Sequence, residues 1–134
     1  MNDPATDYRR LAEMVHATLN LVGMPTFPAE ILVERPGFEI DVDEEGEFAG
    51  VLIDWRTDGK LRHAALGTHG QNDLHGPARE LYLSVKQQMR DLAIQVLTSA
   101  GFRAEVAGGY APLHVRVSGY GGDAFGSLIN DEAG

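Results

Sequence analysis

Cysteine is absent from this chain, which rules out disulfides, zinc–thiolate sites and thiol nucleophiles together. Aromatic residues are sparse, at 7% with a single tryptophan, so a core has to be built mainly from aliphatic side chains. Basic residues are also few: 11 Lys and Arg face 20 Asp and Glu, for a net charge of −9. A phosphate backbone is repelled by such a balance, so nucleic acid is not an expected partner. Long apolar runs are missing as well. None approaches the roughly 18–20 residues of a bilayer span, so no membrane partner is expected. Met1-Asn2-Asp3-Pro4 lacks the basic stretch and apolar core of a secretory signal, and the expected location is the cytoplasm.

What the chain does contain is alternation. Phe38, Ile40 and Val42 alternate with Glu39, Asp41 and Asp43, and Val51, Ile53 and Trp55 follow at the same spacing. Phe102, Ala104 and Val106, then Leu113, Val115 and Val117, repeat it. Period two gives strands with one apolar and one polar face. The pattern predicts strands over about 37–43, 48–55, 61–66, 102–107 and 111–118. Glu44-Glu45-Gly46-Glu47, Thr57-Asp58-Gly59-Lys60 and Gly108-Gly109 read as their turns. A short extended piece is expected at Ile31–Val33.

Two segments carry helical spacing instead. Tyr8, Leu11, Val15, Leu19 and Val22 predict a helix over 4–22, with Asp3-Pro4 at its start and Gly23 at its end. Ala78, Leu81, Val85, Met89, Leu92, Val96 and Ala100 trace an apolar stripe over 77–100, ended by Gly101. Lys86 is placed on another face. The expected fold is therefore α+β, in the order α-β-β-β-α-β-β. It is a two-layer sandwich with a largely antiparallel five-stranded sheet and two helices on one face. Residues 1–120 form a single domain and 121–134 a flexible tail, in which Phe125, Leu128 and Ile129 can dock.

Charge is unevenly distributed. Residues 30–58 hold ten acids against Arg35 and Arg56, which accounts for nearly all of the net charge. The outward sheet face should carry Glu39, Asp41, Asp43, Asp54, Arg62, Arg103, Glu105, His114 and Arg116. A basic protein or basic peptide is the best electrostatic match. Glu39, Asp41, Asp43 and Asp54, with Tyr110 in a glycine-rich turn, are the candidate partner-binding residues.

Other chemistry is less well supplied. Asp41-Val42-Asp43-Glu44-Glu45-Gly46 begins like a calcium loop, but position twelve is Leu52 and the flanks read as strands, so it reads as an acidic hairpin. His63, His69, Asp73, His75 and His114 are candidate metal ligands, since imidazole and carboxylate suit zinc, iron or nickel. They lack the i, i+4 or H-x-H spacing that sets two ligands side by side. They support an alternative reading as a small metal- or ligand-dependent enzyme. The glycine-containing loop 67–76 lacks the Lys and Ser/Thr of a phosphate-binding loop. No nucleophile elbow is present, so no catalytic residue is assigned and no cofactor is expected.

In element order, size and acidity, residues 5–118 resemble the type III secretion (Tir-type) chaperones. That resemblance implies a homodimer that holds an extended segment of a client protein without nucleotide. The chain departs from the family in lacking a third helical pattern after the last strand. The α-β-β-β-α portion also looks like a double-stranded-RNA-binding domain. The place of that family's lysine cluster here reads His75-Gly76-Pro77-Ala78-Arg79-Glu80, and the charge is of the wrong sign.

Overall fold

A computed structural model describes residues 7–31, 35–45, 49–66, 76–109 and 111–121. The protein is α+β, with a five-stranded mixed sheet and three helices among the described residues. Helix α1 (Tyr8–Leu21) is followed by strands β1 (Thr26–Pro28), β2 (Gly37–Asp43) and β3 (Gly50–Arg56). Helices α2 (Gly59–Leu66) and α3 (Pro77–Ser99) come next, then strands β4 (Phe102–Gly108) and β5 (Ala111–Tyr120). The order in space is β1-β2-β3-β5-β4.

Three expectations are corrected here. The sheet is not wholly antiparallel, because β1 pairs parallel with β2 through Thr26↔Phe38, Phe27↔Glu39 and Pro28↔Ile40. The extended piece lies at 26–28, whereas Ile31 sits in a bend and residues 32–34 lie outside the described part. Residues 61–66 are helical rather than extended, so the order is α-β-β-β-α-α-β-β. Asp58 explains why. Its carbonyl accepts the Arg62 N–H at 3.1 Å and its Oδ1 accepts the Lys60 N–H at 2.8 Å, the two bonds of a helix N-cap. The residues that follow, Lys60, Leu61, Arg62, Ala64 and Ala65, are good helix formers.

The first helix is capped by Asp7, whose Oδ1 accepts the Arg10 N–H at 3.2 Å; Asp3 and Pro4 lie outside the described residues. Gly23 (φ 86°) and Gly101 (φ 104°) take the left-handed conformation after α1 and α3, where side chains are disfavoured.

The sheet register follows the alternation. Phe38, Ile40 and Val42 stand opposite Trp55, Ile53 and Val51, and Val51 and Ile53 stand opposite Val117 and Val115. These residues form one core with Leu11, Val15 and Leu19 of α1 and Ala93 and Leu97 of α3. Each large apolar side chain fully buried there contributes roughly 1.5–3 kcal/mol. Phe38 and Trp55 meet edge to face, with centroids 4.8 Å apart. The expected stripe on α3 is displaced. Leu81 and Leu92 are 54% and 38% exposed, while the buried line runs through Lys86, Ala93, Leu97 and Ala100. Small Ala93 lets the helix approach the sheet, so the contact line need not follow the largest apolar residues.

A bulge breaks the β4–β5 ladder. Ala104 pairs with Val117 but Arg103 pairs with Gly119, leaving Ser118 as an extra residue. Alternation reverses there, and Tyr120 returns to the apolar side with its ring 4.7 Å from Phe102. Tyr120 is thus a strand residue packed against the core. No helix among the described residues is long and apolar enough to cross a membrane.

Candidate functional site

Beyond Ile53, the polar positions of β2 and β3 do not open directly to water. They form the floor of a cleft of about 1060 Å³ whose other walls come from α2 and the first half of α3. Glu39, Asp54 and Arg56 line it from the sheet, Lys60, Arg62 and His63 from α2, and Tyr82 and Lys86 from α3. The sequence offers no sign of such a cover, because the helix that supplies it reads as a strand.

The charges inside are largely paired. Arg56 Nη2 lies 3.0 Å from Glu39 Oε1, and the guanidinium sits 4.7 Å from the centroid of the Phe27 ring. Lys86 Nζ lies 2.7 Å from Asp54 Oδ1, in an ionic approach rather than a well-aligned hydrogen bond. It is also 5.6 Å from the centroid of Tyr82. The other oxygen, Asp54 Oδ2, is 3.7 Å from His114 Nε2. With side chains only 9% and 18% exposed, Lys86 and Asp54 attract each other more strongly than a surface pair does.

The candidate partner-binding residues therefore separate into two groups. Glu39 and Asp54 are neutralised in the cleft. Asp41 stands two residues further along β2 from Glu39, about 7 Å, and Asp43 four residues, about 13 Å. Asp41 is exposed, and its Oδ1 accepts the Val42 N–H at 2.9 Å. Asp43 accepts the Glu45 N–H at 3.2 Å, and Glu44 pairs with exposed Arg9 at 3.2 Å. Tyr110 lies outside the described residues.

The candidate metal ligands divide likewise. His63 is exposed on α2, and His114 is on β5 beside Asp54. His69, Asp73 and His75 lie outside the described residues. Among those described, no three His, Asp or Glu side chains gather as a metal site. The residue that sequence reasoning missed most clearly is Lys86, whose charge argues for solvent but which is buried. Asp54 in the middle of an alternating strand is the signal that such a partner is needed.

A second polar link ties α1 to β1. His16 Nδ1 lies 2.8 Å from Thr26 Oγ1, and Thr26 donates to Asn20 Oδ1 at 3.1 Å. Since the threonine proton is directed at Asn20, His16 serves as the donor from Nδ1 when neutral. Burial lowers the pKa of His16 below its ordinary value.

Comparison with known proteins returned no matching family, no matching curated protein and no matching solved structure.

Proposed function

We propose that this protein is a binding module that engages another protein or a basic peptide through the acidic end of the β2–β3 pair. The observation that carries the reading is the division of the acids. Glu39 and Asp54 are held by Arg56 and Lys86, whereas Asp41, Asp43, Glu44 and Glu45 follow one another along the rest of β2 and just past its end, where Arg9 pairs with Glu44. A run of charge of one sign raises encounter rates and sets partner choice.

Strand addition contributes less at this place. β1 pairs only with residues 38–40, and beyond it the outward Val42 N–H is taken by the Asp41 carboxylate. A carboxylate in that position blunts an edge against casual pairing. A chaperone, adaptor or immunity-type inhibitor role fits this surface. So does the homodimeric, client-holding behaviour implied by the likeness to Tir-type chaperones. A cytoplasmic location belongs to the same reading. The alternative, a small enzyme built on the 63–75 histidines, draws on one observation, the position of His63 in the cleft wall.

The test is binding of a short Lys/Arg-rich peptide at several salt concentrations, with light scattering for mass. D41N/D43N should weaken binding and flatten its salt dependence. Equal affinity and equal salt dependence in the variant and the parent protein defeat the proposal.

A further inference from the structure

The cleft has a different electrostatic character from the rest of the chain. Its walls carry four full cations, Arg56, Lys60, Arg62 and Lys86, against three carboxylates, Glu39, Asp54 and Asp58. This is a small positive excess in a protein whose net charge is −9. The pairing sharpens the contrast. Arg56 is engaged by Glu39 and Lys86 by Asp54, and both acids are therefore unavailable to a ligand. Asp58 directs Oδ1 to the Lys60 N–H as the cap of α2. Lys60 and Arg62 remain, on the first turn of α2, without an ion pair among the described residues.

We infer that this cleft binds a small organic oxyanion, a carboxylate or a phosphate ester, held by Lys60 and Arg62. The bland reading of two exposed cations is that water solvates them. Three features argue for more. They stand at the rim of a large concavity, where low-dielectric walls concentrate the field. Asp43, Glu44 and Glu45 follow Glu39 by four residues or more, about 13 Å of strand, so salt screens the cleft from most of the acidic segment. Ala29, Leu66 and the Tyr82 ring add apolar surface beside the charged groups, the mixture that holds the organic part of such a ligand. The start of α2 adds a smaller contribution of the same sign from the helix dipole. The inference does not rest on the peptide-binding role, because the two surfaces share neither residues nor sign.

The experiment is an amide NMR titration of the full chain with phenyl phosphate, repeated with phenylacetate and with phenethylamine as the cationic counterpart. One or both anions should give saturable shifts centred on residues 58–63 and Lys86; which one binds better identifies the oxyanion. K60Q/R62Q should weaken that binding at least about tenfold, with an unchanged melting temperature because both side chains are exposed. D41N/D43N should leave it intact even if that variant loses peptide binding. The inference is overturned by absence of saturable shifts with either anion, by equal binding of phenethylamine, or by undiminished affinity in K60Q/R62Q.

Discussion

Lys86 Nζ stands 2.7 Å from Asp54 Oδ1, so a cation from the longest helix neutralises a carboxylate in the middle strand of the sheet. The two residues are 32 positions apart, and the pair links α3 to β3 at the wall of the cleft. Removing one charge strands the other, which costs more than the pair itself contributes.

Lys86→Met should therefore destabilise the fold by about 3 kcal/mol. Asp54→Asn should also destabilise. Combining Lys86→Met with Asp54→Asn should recover much of the loss, since neither charge is then left alone. Urea unfolding of the single and double variants measures the coupling. Strictly additive losses would show that the two groups do not interact.

Stability should fall as pH drops through the ordinary histidine range. The pKa of His16 is lowered in the folded state, so the unfolded chain binds more protons in that window, and stability rises with pH there. The contribution is fully present above the unfolded value of 6.5 and is lost as pH falls toward the folded value. His16→Gln should flatten this part of the profile, read from melting temperatures across pH. An unchanged slope in the variant would exclude His16 as its source.

Leu97 and Leu81 offer a direct test of how α3 packs. Leu97 is fully buried and Leu81 is mostly exposed. Leu97→Ala should cost about 3 kcal/mol, and Leu81→Ala less than about 0.5 kcal/mol. Denaturant midpoints compare them; the opposite ranking would mean the helix is rotated from the orientation described.

Asp58→Ala should cost about 1 kcal/mol through loss of the α2 cap. Asp58→Ser should retain most of that stability, because a serine hydroxyl caps equally well. Carbon chemical shifts over 59–66 report whether the helix persists. Extended values there in the parent protein would restore the strand reading.

Much of the fold was legible in the sequence because alternation is a strong local signal. Phe38, Ile40, Val51, Ile53, Val115 and Val117 are all buried on the side the pattern assigned. The parts that were not legible depend on competition between local signals or on distant partners. Thr57-Asp58-Gly59-Lys60 is good chemistry for a hairpin turn and equally good for a helix cap, and only the residues beyond decide. β1 is three residues long and contains Pro28, too short for a period to register. The cleft was invisible for a related reason: its cover is α2, and its floor depends on Lys86, a residue that composition assigns to solvent. Charge counting found the acidic segment of the chain. It did not show which of those acids have cations beside them.

The extra residue at Ser118 gives the last strand a fixed length as well as a fixed composition. Its first half and its end are out of phase, and both phases are used: Val115 and Val117 before the bulge, Tyr120 after it, with Gly121 then tied to the Gly101 carbonyl at 2.8 Å. A chain shortened by this one position would turn the tyrosine ring toward water and pull the closing tie out of reach. Deletions that most loops absorb are therefore barred from this stretch, and any variant that loses a residue between 117 and 121 has to rebuild the whole corner.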